Sequence, residues 1–311
     1  MKLNNFKKIS GDASFRSFYR TKKSILVFCK KEKKINLEIY DAINKILNRN
    51  KIKAPLLISN NYYKNYIEIE DFGDQTVFRT LKKNKKKQLN IYSKILIIIN
   101  KLQKIKNVNT STFLGNKYTI PKYNNKKILD EANLFIKWFL PRAFKKSDNK
   151  LSKKLKIILL NLIKKIEIKK KVFVHRDFHI SNLIIYQKKI ILIDNQDAQM
   201  GHVAYDLASL IDDVRFETSI KLKNRLFLRF LKMNKNLNIK KFTSDFEILS
   251  VLRNLKIIGI FSRLFLRDNK KKYIKLIPYA WKLIDLRIDN NKEMSELKKF
   301  LRENNLIHKK F

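Results

Sequence analysis

The chain has 311 residues and a formal net charge of +44, from 71 Lys and Arg against 27 Asp and Glu. Hydrophobic residues make up 44% and aromatic residues 11%, which supplies a core, excludes intrinsic disorder, and suits two domains or one two-lobed unit at this length. The five glycines (Gly11, Gly73, Gly115, Gly201 and Gly259) are too widely spaced for GxGxxG or GxxxxGK[ST], and the lone Cys29 excludes a disulfide framework or a multi-cysteine zinc site.

The N-terminal stretch MKLNNFKKIS has no apolar h-region, and the longest apolar runs, Ile95–Ile99 and Ile257–Phe261, fall far short of the roughly 18 residues of a membrane helix. A cytoplasmic protein without a membrane partner is expected. Ser14–Arg20 alternates as a strand, Lys22-Lys23 is a turn, and Ile25–Cys29 is a short apolar strand. Apolar residues at Ile35, Leu37, Ile39, Ile43, Ile46 and Leu47 predict a helix. Leu56–Ser59 and Tyr66–Glu70 read as strands separated by a turn at Asn60-Asn61. After Gly73 the pattern becomes helical. Thr76–Lys104 holds one or two helices, Ile128–Leu140 another that Pro141 stops, and Leu151–Ile168 a third. A β island follows at Val172–Val174, Leu183–Tyr186 and Ile190–Ile193. Helices return at Tyr205–Ile211, Ile220–Leu231, Phe246–Leu266 and Tyr273–Leu286. The expected organisation is a small β-rich lobe over residues 1–73, a link near Asp71–Asp74, and a large helical lobe over 74–311.

Lysines run from Lys2 to Lys310 without gathering into one stripe, so the charge reads as compositional drift and a nucleic-acid partner is disfavoured. Anionic ligands are still attracted by such a field.

The β island holds the chemistry. His175-Arg176-Asp177-Phe178-His179-Ile180-Ser181-Asn182 reads H-R-D-x-x-x-x-N between apolar strands, and twelve residues past Asn182 a further strand ends in Asp194. That order matches the protein-kinase catalytic loop and its metal-binding Asp. An alcohol attacking phosphorus must lose its proton, which a carboxylate at a strand exit (Asp177) can take. The transferred phosphoryl group needs divalent charge, and magnesium prefers hard oxygens such as the Asn182 amide and the Asp194 carboxylate. Two other readings exist: loop capping by Asp177 and Asn182, and a zinc site from His175 and His179. HExxH zinc sites require a helix and a Glu, neither of which this segment offers. His175 then props the loop by hydrogen bonds. Asp71-Phe72-Gly73 spells DFG but precedes the HRD, so its expected job is to turn the chain.

Beyond the catalytic block, the chain resembles the aminoglycoside-phosphotransferase-like kinases, in particular their bacterial anomeric amino-sugar kinase branch. Gly11-Asp12-Ala13-Ser14-Phe15-Arg16-Ser17-Phe18-Tyr19-Arg20 resembles that family's N-terminal hairpin, and Glu70-Asp71-Phe72-Gly73-Asp74 its hinge. The segment from Tyr123 through Glu131 to Trp138 and Pro141 resembles its pre-catalytic helix. Asp194-Asn195-Gln196-Asp197-Ala198, then Gly201 and Tyr205–Leu210, is similar to its metal loop and following helix. Arg253–Phe261 with Arg263-Leu264 and Arg267-Asp268 resembles its C-terminal motif.

The resemblance implies an α+β, bilobal protein-kinase-like fold and transfer from ATP, with Mg2+, to the anomeric hydroxyl of N-acetylmuramate or N-acetylglucosamine in cell-wall sugar recycling. It implies Asp177 as base and Asn182 and Asp194 as metal ligands. The turn from Gly11 through Ser14, Phe15 and Arg16 would cover the ATP phosphates, and the backbone of Glu68–Glu70 would meet adenine. Glu131, Gln196, Asp197, Arg253 and Arg263 would meet the sugar, an Arg fork suiting the lactyl carboxylate. Glu131 and Arg253 read equally as an internal ion pair, and Asp206 as support for the catalytic loop. Asn195 departs from the family, which usually has an aromatic there. Lys30, with Glu38 as helix partner, is a weaker candidate for an ATP-pairing lysine. Rival readings are a kinase of another small alcohol (aminoglycoside, choline or homoserine) and a basic RNA-associated protein on a degenerate kinase scaffold.

Overall fold

Short β-branched and aromatic stretches at the N-terminal end form strands, and the longer segments with helical spacing form helices, in a computed structural model that describes residues 7–9, 16–144, 148–167, 171–307 and 309. The chain divides into two compact units, Met1–Pro121 with Val172–Met200, and Lys122–Lys171 with Gly201–Phe311.

In the first unit, β1 (Lys7–Ile9), β2 (Arg16–Arg20), β3 (Ser24–Cys29), β4 (Leu57–Asn61) and β5 (Tyr66–Glu70) form an antiparallel sheet in the order β1-β2-β3-β5-β4. The β2–β3 reversal lies at Lys22-Lys23, as its sequence implies. Thr21 N–H donates to the Ser24 carbonyl at 2.9 Å, and Thr21 Oγ1 accepts from Ser24 N–H at 2.9 Å. Helix α1 (Ile35–Arg49) packs Leu37 and Tyr40 on Ile25, Val27, Cys29, Ile67 and Ile69. The turn expected at Asn60-Asn61 lies further on. Both residues stay in β4, opposite Ile67 and Tyr66, and the chain reverses at Tyr62–Asn65, where Asn65 takes φ +61. A short polar side chain tolerates that left-handed backbone better than its neighbours would.

After β5, Asp71 accepts from Gly73 N–H at 2.8 Å and pairs with Arg20 at 2.6 Å, while Gly73 adopts φ +75. The DFG tripeptide therefore turns the chain. Phe72 packs on Ile184, Ile191 and Ile193. Thr76 then caps α2 (Val77–Lys83), accepting from Arg79 N–H, and Asn84 in extended backbone separates α2 from α3 (Gln88–Gln103). A hairpin with no clear sequence signal, β6 (Asn109–Ser111) and β7 (Lys117–Thr119), follows. The β island appears as β8 (Val172–Val174), β9 (Leu183–Tyr186) and β10 (Lys189–Leu192).

The second unit is helical: α4 (Asn125–Leu134), a π turn over Phe135–Phe139, α5 (Leu140–Ala143), α6 (Asn149–Lys164), α7 (Tyr205–Ile211), α8 (Ile220–Met233), α9 (Ile239–Leu266), α10 (Ile277–Ile288) and α11 (Ser295–Glu303). Pro141 does not stop the chain where expected. It lies in α5, which continues directly from the π turn, and the chain stays helical through it to Ala143. The π turn stacks Phe135 on Phe139 at 4.8 Å, with Trp281 edge-on to both. On α9, a Cβ at Gly259 would collide with the Leu134 and Phe135 backbone, so glycine there permits direct helix-to-helix contact. Helix α9 starts seven residues before the apolar run predicts, because Asn238 caps it by accepting from Lys241 N–H at 3.0 Å. Asp212, just past α7, is fully buried and bonded to Arg287 (2.9 Å), Lys223 (3.2 Å) and Ser250 (2.7 Å). No helix of the described residues is long and apolar enough to cross a membrane.

Candidate active site

Strands β9 and β10 form a two-residue hairpin whose register pairs Leu183 with Leu192. The ladder continues one step further, with Ile193 N–H donating to the Asn182 carbonyl at 3.1 Å. Asn182 and Asp194, twelve residues apart in sequence, therefore emerge at the same open end of one hairpin. Asp177 joins them from the preceding loop, because Asn182 Nδ2 donates to its carbonyl at 3.0 Å. The sequence constellation is thus assembled by local β geometry.

The two expected metal ligands retain suitable oxygens. Asn182 engages its amide nitrogen with Asp177 and His179, and Asp194 engages Oδ1 with Arg16 (2.6 Å) and Gln196 (3.3 Å). Among the described residues, Asn182 Oδ1 and Asp194 Oδ2 accept no hydrogen bond. Two hard oxygens at one hairpin end fit a magnesium ion, which takes few protein ligands and fills its shell with water and phosphate. Asp194 itself is left-handed at φ +64, and Arg176, just before Asp177, at φ +72. Such backbone is uncommon for non-glycine residues and gathers at functional sites.

Arg16 is the buried cation of this region. Its Nη1 donates to Gln196 Oε1 at 2.5 Å and its Nη2 to Asp194. Nearby, burial pushes the Tyr40 phenol up to about 12, against the lowering effect of Arg16, so Tyr40 stays protonated. Lys30 has no such place. It is exposed, and Glu38 is buried accepting from Thr112 Oγ1 (3.0 Å) and Asn116 Nδ2 (2.8 Å), so the Lys30–Glu38 pair does not form. Gly11, Ser14 and Phe15 lie outside the described residues. Glu68 and Glu70 lie on β5, flanked by β3 and β4, with side chains bonded to Ser24 and Ser59 and to Lys53 and Leu56 N–H respectively. Main chain free of the sheet begins at Asp71.

His175 is enclosed, with Nε2 at 2.8 Å from Asn195 Oδ1 and 3.2 Å from the Ile193 carbonyl. Arg176 Nη1 donates to the Asp197 carbonyl at 3.1 Å. Gln196 is committed on both ends of its amide, its Nε2 donating to Asp194 at 3.3 Å and to Asp197 at 2.8 Å, whereas Asp197 is exposed.

The second unit gathers the remaining candidates differently. Tyr123, Glu131, Tyr205, Arg253 and Lys256 line a small pocket between α4, α7 and α9. Glu131 accepts from Tyr123 OH at 2.5 Å and pairs with Lys256 at 2.9 Å. The Glu131–Arg253 ion pair is therefore not made. Lys256, which the sequence left unassigned, lies three residues after Arg253 on the same helical face. Arg253 is 4% exposed and, among the described residues, its guanidinium has no hydrogen bond or ion pair. Burial, and next to it Tyr205 and Glu131, raise the Tyr123 phenol well above its ordinary value. Arg263 is half-buried on α9, its pKa lowered first by burial and then by Arg267. Asp206 is buried in the first turn of α7.

Residues 5–234 match the model of the phosphotransferase enzyme family. The chain belongs to that family. It is 26% identical to the N-acetylmuramate/N-acetylglucosamine kinase of Neisseria meningitidis serogroup B over 280 residues, 86% of this chain and 81% of that protein. It is 24% identical to the kinase of the same name from Pseudomonas aeruginosa over 302 residues, 94% of this chain and 86% of that one. An ADP-bound aminoglycoside phosphotransferase superposes with TM-score 0.60 at 15% identity, covering 92% of this chain and 94% of its own. This phosphotransferase accordingly has the bilobal, protein-kinase-like fold, with a small β-rich N-terminal lobe and a helical C-terminal lobe.

Proposed function

We propose that this phosphotransferase moves the γ-phosphoryl group of ATP to the anomeric hydroxyl of N-acetylmuramate or N-acetylglucosamine, in the cytoplasm, as a step of cell-wall sugar recycling. The observation that carries the reading is the pair of open oxygens, Asn182 Oδ1 and Asp194 Oδ2, beside Asp177 at one hairpin end. The relatives named for these sugars support the choice of acceptor. Nucleic acid has no part in the proposal.

In this reading, Asn182 and Asp194 would hold magnesium, which would supply divalent charge against the phosphates. Asp177 accepts the proton of the anomeric hydroxyl as its oxygen bonds to the γ-phosphorus and the bond to the β-phosphate oxygen breaks, releasing ADP. The anomeric hydroxyl is more acidic than other sugar hydroxyls, so an ordinary carboxylate suffices. Residues 11–16 are assigned to the phosphates. Arg253, with Glu131, Lys256 and Arg263, is assigned to the sugar, the guanidinium meeting a carboxylate.

Incubation with ATP, Mg2+ and each sugar, followed by phosphorus NMR, is expected to yield the sugar 1-phosphate. Folded, ATP-binding protein that makes no sugar phosphate overturns the acceptor. Asp177→Asn is expected to keep the thermal transition while lowering kcat by about 10² to 10⁴.

A further inference from the structure

We propose that Asn44 and Asn195 are positioning residues: a directional chain of hydrogen bonds from α1 that fixes the tautomer of His175 and clamps the backbone beside both Asp177 and Asp194. The proposal rests on the roles given above to those two carboxylates.

The chain has one chemically determined end. The Pro55 carbonyl can only accept, so the Asn44 group facing it at 2.8 Å is Nδ2. Asn44 Oδ1 is thereby turned to Asn195, where it accepts from Nδ2 at 2.8 Å. The same Asn195 nitrogen also donates to the Leu192 carbonyl at 3.0 Å, which fixes this amide independently. Asn195 must then present Oδ1 to His175, and the Ile193 carbonyl presents a second acceptor to the same ring nitrogen. Nε2 of His175 therefore carries a hydrogen. Reversing any one amide would set donor against donor or acceptor against acceptor in a site where Asn44 is 1% exposed and Asn195 and His175 are fully buried.

The ends of this chain sit where the backbone is least comfortable. His175 immediately precedes Arg176 (φ +72), which leads into Asp177, and Asn195 immediately follows Asp194 (φ +64). The 2.8 Å bond between His175 and Asn195 spans both left-handed residues and holds them against relaxation. Because Asn44 lies on α1, the seating of that helix is transmitted to the loop that carries the metal carboxylate.

Nitrogen-15 NMR of histidine-labelled full-length protein, without ligands, tests the direction. His175, assigned by comparison with a His175→Gln sample, is expected as the Nε2–H tautomer, and an Nδ1–H tautomer overturns the proposal. This arm stands whichever acceptor the enzyme uses. Kinetics test the consequence: Asn195→Leu and Asn44→Leu are each expected to lower kcat at least tenfold with the KM for ATP within twofold, and the double variant to be no slower than the slower single one. Folded variants with wild-type kcat overturn the positioning role.

Discussion

Two buried arginines answer to opposite physics. Arg16 is 5% exposed and bonded to a carboxylate and an amide, so its charge is compensated within the protein. Arg253 is 4% exposed without such a partner among the described residues, and an uncompensated buried charge is a standing loss of stability. Arg253→Met is therefore expected to raise the stability of the ligand-free protein by about 1–3 kcal/mol in calorimetry. The same change should weaken N-acetylmuramate, which bears a carboxylate, far more than N-acetylglucosamine in a competition assay. Equal losses for the two sugars would remove Arg253 from carboxylate recognition. Arg253 was visible in the sequence as a binding candidate. Its solitude was not, because it depends on Glu131 choosing Lys256 one turn further along α9.

At the scale of elements, the β9–β10 hairpin carries the site on its open end and strain on its closed end. Gln187 and Lys188 take φ +46 and +62, a turn that usually uses Asn-Gly. Lys188→Gly is expected to stabilise the fold by about 1 kcal/mol in denaturant melts and to leave kcat unchanged, since the substitution touches only the tip. This hairpin was legible because short apolar strands flank polar motif residues. The β2–β3 turn and the α7 boundaries were legible for similarly local reasons. Elements set by context were not. Asn60 and Asn61 look like turn residues, yet pairing with Ile67 and Tyr66 keeps them in β4. The π turn before Pro141 brings Phe135 and Phe139 together against Trp281, a residue far along the chain.

Over whole units, long-range polar contacts decide what composition cannot. Asp212 ties the end of α7 to α8, α9 and α10. Burial alone would raise its pKa, but Arg287 and Lys223, with hydrogen bonds from Arg287 and Ser250, hold it below the ordinary value. A carboxyl held low in the fold stabilises above its unfolded pKa of about 3.9, and that contribution fades as pH falls through the folded value. Asp212→Asn is expected to cost about 3–5 kcal/mol at neutral pH and to flatten the acid limb of the stability profile below pH ~4. A variant as stable as wild type would show the cluster to be dispensable. Asp177, Asn182 and Asp194 could be picked out in the sequence because they fall within 18 residues of chain. The Asn44–Asn195 bond joins positions 151 apart, and no local pattern announces it.

Glycine 259 leaves α9 resting main chain against main chain on the junction of α4 and the π turn. Glu131 lies three residues before that junction, and Lys256 and Arg253 lie three and six residues before the glycine. The gap bridged by the Glu131–Lys256 pair is thus gauged by a hydrogen atom. A methyl group there would push the two helices apart, so the width of this pocket hangs on a position that does not line it.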